Sequence, residues 1–144
     1  MSYRSWELDG LYVLRWGSQP EPQDVAAYTA EIASARERQG KPLVGIIIMP
    51  TDSAPPGDAF RKMQARHLPK IFLNLEYAIC VFEGTGFFAS LKRSALVAIL
   101  MLSPQRHPVY VRSTLEQALI RDPPRPYKFD ALKTLRQLRQ DVAA

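Results

Sequence analysis

The stretch Leu43-Val-Gly-Ile-Ile-Ile-Met49 decides the fold, because it is a continuous apolar run that is too short for a typical helix and rich in β-branched residues. Such a run is typical of a strand that is buried on both faces, and strands of this kind lie in sheets covered by helices. Tyr77-Ala-Ile-Cys-Val-Phe82 has the same character. We therefore expect these two runs to be adjacent, parallel, central strands.

The segments on either side of these runs alternate between strand and helix patterns. Asp9-Gly10 separates two runs of strand-forming residues and predicts a tight hairpin. Helical periodicity predicts a first helix over about residues 22–39, a second over 59–68 and a third over 87–102. Proline disfavours helical geometry at the residue before it, so Pro69 should kink the second helix or force it to restart.

The alternation predicts an α/β fold with a four- or five-stranded mixed, mainly parallel sheet covered by helices, the opening strand being antiparallel at an edge. We expect the α/β domain to span residues 1–121, with a short last strand at 108–112. Ser113-Thr-Leu-Glu116 then has the spacing of a capping box. A Pro-rich linker follows over 122–130, and the leucines of residues 131–144 predict an amphipathic helix appended to a finished domain.

Length and composition exclude several classes of protein. The chain has 144 residues and a mass of 16.3 kDa, which suits one domain, and its 47% hydrophobic and 23% charged residues are typical of a globular protein. Its longest uncharged apolar run, residues 94–102, is far shorter than the roughly 20 residues that a membrane span needs. With no apolar signal core and a single cysteine, Cys80, the expected compartment is the cytoplasm.

Charge is distributed unevenly along the chain. Residues 1–60 carry five Lys or Arg and eight Asp or Glu, whereas residues 61–144 carry fourteen and six. Clustered cations attract nucleic acid, anionic lipid or an acidic protein, and their sign alone does not choose among these partners. The cations of the second helix and the start of the third are predicted to form one basic partner-binding surface: Arg61, Lys62, Arg66, Lys70, Lys92 and Arg93.

Two loops at the ends of the predicted central strands carry the other candidate residues. Thr51-Asp52-Ser53 precedes the second helix, where Ser53 is either a helix cap or a phosphorylation site whose charge would meet helix-terminal amides. Glu83-Gly-Thr-Gly86 opens the third helix, and Gly84, Thr85 and Gly86 are either a plain glycine turn or an anion-binding loop. No metal, cofactor or catalytic residue is expected, because no motif has the spacing these require.

The hairpin opening, the Thr51-Asp52-Ser53 loop and the closing pattern Val109-Tyr-Val-Arg-Ser-Thr-Leu-Glu-Gln-Ala-Leu119 resemble the STAS domain of the anti-sigma-factor antagonist type. The resemblance covers roughly residues 5–121. The family's usual Asp-Ser-Ser-Gly segment is represented here by Asp52-Ser53 followed by Ala54-Pro55-Pro56, so the chain more closely resembles STAS-like proteins that lack the phosphorylation switch. The resemblance implies a non-enzymatic protein-interaction module in bacterial regulation.

Two other functions remain open at this point. The loops 51–58 and 83–86 would lie at the carboxyl ends of parallel strands, where α/β folds bind ligands, so a small enzyme or a ligand-binding protein is the first alternative. Nucleic-acid binding through the basic half is the second, although no base-reading motif accompanies the cations. We also expect a homodimer, because the apolar residues 95–102 and the leucines of the tail offer more apolar surface than one small domain easily covers.

Overall fold

The computed structural model describes residues 3–102 and 106–143, whose chain order alternates strands and helices. The strands are β1 (Tyr3–Leu8), β2 (Leu11–Trp16), β3 (Leu43–Met49), β4 (Leu75–Phe82) and β5 (Val109–Arg112). The helices are α1 (Pro22–Gln39), α2 (Asp58–Phe72), α3 (Phe87–Leu102), a short π-helix (Gln117–Arg121) and α4 (Ala131–Ala143). None of the helices within the described ranges is long and apolar enough to cross a membrane.

The five strands form one mixed sheet in the order β1-β2-β3-β4-β5. The first two strands form an antiparallel hairpin, in which Gly10 has a φ of 74° that a residue with a side chain rarely adopts. The other three pairs of neighbouring strands, β2–β3, β3–β4 and β4–β5, are parallel. The sequence-based prediction of adjacent, parallel β3 and β4 is confirmed, and so is the antiparallel strand at the edge.

Successive side chains of a strand point to opposite faces of the sheet, so the core consists of two layers, one on each face. On β2, Tyr12, Leu14 and Trp16 pack with the layer formed by α1, α2 and α3. Leu11 and Val13 lie on the other face, where they pack with the π-helix and α4. Because the order of the strands follows the chain, each of the first three helices connects neighbouring strands, and all three share one face.

The C-terminal helix differs from the prediction of an addition to a finished domain. Leu135 and Leu138 of α4 are buried against the second face of the sheet. Tyr127 and Phe129, which lie within the predicted linker 122–130, pack against the same layer. The tail and the π-helix together therefore cover the second face of the sheet, and Leu135 and Leu138 of the predicted leucine stripe belong to the intramolecular core.

Two local features differ from the predictions. Of the two outcomes expected at Pro69, a kink or a restart, the restart does not occur: the second helix runs from Asp58 to Phe72, because Leu68 and Ile71 on either side are buried and their packing offsets the lost amide bond. The predicted capping box is displaced by one residue: the amide of Gln117 donates to Thr114 Oγ1 at 2.9 Å. Glu116 instead pairs with Arg121 and, across to α4, with Arg139.

Candidate functional site

Three loops meet at the carboxyl edge of the sheet, where β2, β3 and β4 end. The amide of Glu83, after β4, donates to the carbonyl of Met49 at the end of β3 at 3.0 Å. Gly84 has a φ of 86°, and a Cβ at that position would lie 2.8 Å from Thr51 Oγ1. The loops 51–58 and 83–86 are thus in direct contact, and glycine is required where they approach.

Ser53 lies inside this loop cluster. Its side chain is 2% exposed, and its hydroxyl donates to the carbonyl of Gly17, after β2, at 2.7 Å. It does not cap α2, whose N-cap is Gly57. A buried hydroxyl that already donates a hydrogen bond is poorly placed for a kinase in the folded protein, whereas Thr51 and Asp52 beside it are exposed.

Lys92 of α3 is the residue whose position differs most from the prediction. It was expected on a basic surface, but it is 1% exposed. Its ammonium donates to the carbonyl of Pro50 at 2.6 Å and to that of Thr51 at 3.3 Å, so it ties α3 to the loop after β3. Burial lowers the pKa of Lys92, while the carboxylates of Asp52 and Glu83 act in the opposite direction.

Of the other five predicted cations, three form an exposed row on α2, and the other two are Arg61 and Arg93. Lys62, Arg66 and Lys70 are exposed on α2 at intervals of one helical turn, and we refer to these three residues as the basic stripe. Arg61 is half-buried and pairs with Asp58 at 3.6 Å. Arg93 of α3 is exposed and lies over the ring of Phe82, 5.9 Å from its centroid. The basic surface therefore keeps the cations of α2 and loses Lys92.

Within the basic stripe, the cations differ in their pairing. Lys62 forms an ion pair with Asp58 at 3.1 Å, one turn earlier on the same helix. In the part of the chain that the structure describes, no ion pair joins Arg66 or Lys70 to a carboxylate. Leu73, just beyond Lys70, is 75% exposed, so an apolar side chain extends the stripe.

Thr85 and the two glycines beside it remain exposed at the start of α3. Gly86, like Gly84, has a positive φ, which accounts for both glycines as a turn between β4 and the helix. Anion binding at this loop stays a prediction.

The outer face of α3 is apolar to an unusual degree. Phe87, Val97, Met101 and Leu102 are all more than half exposed, and Leu91 is 37% exposed. Ala95 and Ile99 of the same helix face inward and are buried. Of the two surfaces expected to drive self-association, only this one is available, because the buried leucines of α4 pack on the sheet. The homodimer stays a prediction.

A cavity of about 70 Å³ lies between the sheet and the layer of α1, α2 and α3. Its lining is almost wholly apolar and includes Trp16, Leu68, Cys80 and Leu96, with Lys92 as a charged member. Gln64 also borders it, but its side-chain oxygen already accepts a hydrogen bond from the hydroxyl of Tyr28. The cavity was not predicted from the sequence.

Within residues 3–102 and 106–143, the side chains that most often act as nucleophiles or metal ligands are not gathered into a site. Cys80 is buried on β4, and burial raises the pKa of its thiol to about 12, so it is protonated at neutral pH. Among the described residues, no group of three or more His, Cys, Asp or Glu side chains is arranged to hold a metal ion. The arrangement at the carboxyl edge is one of internal hydrogen bonds that fix the loops.

Lys92 could have been recognised as a buried residue from its spacing. It precedes the buried Ala95 by three residues and the buried Ile99 by seven, which places all three on one face of a helix. The cavity had no such signal, because its lining comes from seven helices and strands that are spread along the sequence. Comparison with protein-family models finds no match to the chain, and no curated protein matches its sequence.

Proposed function

We propose that this protein is a non-enzymatic, STAS-like interaction module of bacterial regulation that binds an acidic protein surface through the basic stripe of α2. The observation that carries the proposal is the stripe itself: three exposed cations one turn apart, two of which have no ion pair among the described residues. Unpaired cations on one face create a local positive potential that favours and accelerates the approach of an anionic partner.

The fold supports this proposal in two ways. Its antiparallel opening hairpin and alternating strands and helices agree with the pattern on which the resemblance to STAS domains rests. The α2 helix is also held rigidly, since Phe60, Leu68 and Ile71 on its inner face are buried. A rigid helix that presents a fixed row of charges loses little conformational entropy when a partner binds.

Catalysis is less well supported than interaction. Ser53 and Cys80 are buried, the first with its hydroxyl donating to a carbonyl and the second with its thiol protonated at neutral pH. Neither side chain is presented to a substrate, and Lys92 is engaged by two carbonyl groups. Because Ser53 and Lys92 donate their hydrogen bonds to backbone carbonyls of the loops, these side chains are better suited to stabilising the loops than to acting on a substrate.

A protein partner fits the stripe better than a nucleic acid. The stripe continues into the exposed Leu73, and the neighbouring helix α3 presents exposed apolar side chains. Apolar groups next to arginine are typical of protein interfaces, whereas binding to a polyanion rests mainly on many phosphate contacts. Three cations on α2 would neutralise few phosphates. The single, buried Cys80 agrees with a protein that acts in the reducing cytoplasm.

The experiment is affinity purification from the source cells with three forms of the protein, each with and without nuclease treatment. The parent and the control Lys133→Glu/Arg136→Glu, which reverses two exposed cations on α4, should retain the same acidic protein. Lys62→Glu/Arg66→Glu carries the same change in net charge and should lose it. Equal retention by all three forms, or retention that nuclease abolishes, would overturn the proposal.

A further inference from the structure

We propose that the groove between α2 and α3 binds an amphipathic helix of the partner protein, with its acidic side chains toward the basic stripe and its apolar side chains in the groove. This inference rests on the proposed function, because it names the kind of segment that the stripe binds. It adds to the stripe a second contact surface, which is formed by apolar side chains of both helices.

The helices α2 and α3 lie side by side and run in the same direction. Each connects two neighbouring parallel strands, and both lie on the same face of the sheet. Ala65 and Leu68 of α2 pack with Ile99 of α3 in a small apolar cluster between the helices. This contact identifies the side of each helix that faces the other.

Helical spacing from this contact places exposed residues along the line where the two helices meet. On α2, Lys62 precedes Ala65 by three residues and Leu73 follows it by eight. On α3, Leu102 follows Ile99 by three residues. Because residues at these intervals lie on one side of a helix, all three exposed side chains border this line. We refer to the space that Lys62, Leu73 and Leu102 border as the α2–α3 groove.

The floor of the α2–α3 groove consists of small or half-buried residues. Ala65 is buried, Pro69 is half-buried one turn later on α2, and Ala98 of α3 is half-buried as well. The residues at the borders protrude instead, since Leu73 is 75% exposed and Leu102 is 56% exposed. Small residues between protruding ones allow another helix to pack its apolar side chains between the two.

A helical segment fits this groove better than an extended one. Backbone amides and carbonyls within a helix are bonded to one another, so α2 and α3 offer mainly side chains for contact. An extended segment would lie there with its own backbone groups unpaired, whereas a helix satisfies them internally. The 15 residues of α2 span about 22 Å, so a bound helix of about four turns covers the groove.

Charge determines which helix is favoured. Lys62 borders the groove, and Arg66 and Lys70, which have no ion pair in the described part of the chain, continue the row along α2. A helix with Asp or Glu beside its apolar face meets opposite charges there, whereas a basic helix is repelled. A second copy of this chain is a poor occupant, because its exposed apolar helix, α3, contains Lys92 and Arg93 and no acidic residue. The predicted homodimer therefore does not use this groove.

The test is titration of three labelled peptides, each about four helical turns long, with the full chain, followed by fluorescence anisotropy. The first peptide places Leu on one face of a helix and Glu beside it. The second has the same composition in an order without helical periodicity, and the third carries Lys in place of Glu. The first should bind roughly tenfold or more tightly than either of the others, because only it presents both surfaces together. Lack of saturable binding by the first peptide, or equal binding of the first and second, would overturn the proposal.

Two matched double variants locate the site on the molecule. Leu73→Ser/Leu102→Ser removes the apolar borders of the groove and should weaken binding of the first peptide roughly tenfold or more. Val97 and Met101 each lie two residues from Ile99, a step of about 200° around the helix, which places them on the side of α3 away from α2. Val97→Ser/Met101→Ser replaces two residues of similar exposure and should bind the peptide as the parent does. Equal affinities of the two double variants would show that the groove is not the site.

The affinity purification described above separates this inference from the proposed function when Leu73→Ser/Leu102→Ser is added to it. Loss of the acidic protein from this variant and from Lys62→Glu/Arg66→Glu supports both proposals. Loss from Lys62→Glu/Arg66→Glu alone leaves the proposed function in place and overturns the bound helix. Retention by both variants overturns the proposed function and this inference with it.

An anionic membrane is the other surface that cations beside apolar side chains would contact. A flat bilayer meets protruding side chains, whereas the floor at Ala65 and Pro69 lies between them, which favours a rod-shaped partner. We expect vesicles of equal parts phosphatidylcholine and phosphatidylserine not to sediment the parent at physiological salt. If they sediment the parent and not Leu73→Ser/Leu102→Ser, the groove binds lipid and the proposal is wrong.

Discussion

Replacement of Leu138 by alanine should destabilise the whole protein, although the residue lies near the end of the chain. Leu138 is fully buried against the second face of the sheet, together with Leu11, Val13 and Ile79. A buried Leu→Ala substitution costs about 2–5 kcal/mol, from lost burial and from the cavity that it leaves. We expect about 3 kcal/mol here, a large part of the free energy of unfolding of a small domain.

The assay is urea denaturation followed by circular dichroism, with Leu132→Ala as the matched control on the same helix. Leu132 is 49% exposed, so its truncation should cost less than about 1 kcal/mol. The Leu138 variant should also show a melting temperature lower by roughly 6–12 °C. If the two variants were equally stable, α4 would be an addition to a domain that is complete without it, and the two-layer core described above would be wrong.

Three further outcomes follow from the loop cluster and the core. Gly84→Ala should lower the free energy of unfolding more than Gly86→Ala. Both positions have a positive φ, which costs a residue with a side chain about 1–2 kcal/mol, but only a Cβ at Gly84 would also meet Thr51. Equal urea midpoints for the two variants would contradict this. Because burial lowers the pKa of Lys92 in the folded state, the unfolded chain binds more protons between that lowered pKa and 10.5. The stability of the parent relative to Lys92→Met should therefore rise with pH as the pH approaches 10.5, and a fall in the urea midpoint of the parent relative to that of the variant would refute it. The thiol of Cys80, whose pKa burial raises to about 12, should resist a disulfide reagent in the native protein and react once urea unfolds it, and fast native reaction would show that it is accessible.

The order of elements could be read from the sequence because it rests on local patterns. The apolar runs of β3 and β4, the hairpin signal at Asp9-Gly10 and the helical spacing of α1 each appear within a few residues of chain. Alternation of strands and helices then restricts the topology to a mainly parallel sheet. These predictions needed no contact between distant residues.

Errors arose where packing decides the structure. The local geometry of Pro69 predicts a kink or a restart, but the buried Leu68 and Ile71 keep α2 as one helix that does not restart. The leucines of α4 show that the helix has an apolar face, yet they do not say whether that face meets the sheet or another subunit. Only the three-dimensional arrangement assigns Leu135 and Leu138 to the second layer of the core.

The candidate site was the hardest part to predict, because its residues come from distant segments. Lys92 belongs to a charged pair in the sequence, Lys92-Arg93, yet one of the two is buried and the other is exposed. Their difference follows from the 100° step between successive helical residues, which turns Lys92 toward Pro50 and Arg93 toward solvent. Charge counts along the chain do not contain this information.

The central proposal, that the basic stripe of α2 binds an acidic protein, is tested most directly by cross-linking from the stripe itself. A photoreactive amino acid replaces Arg66 in one form and Arg136 of α4 in a control, and mass spectrometry maps the cross-linked segments in living cells. We expect the form modified at position 66, and not the control, to be joined to an acidic segment of another protein. Cross-links from position 66 to nucleic acid, or only to a second copy of this chain, would contradict the proposal.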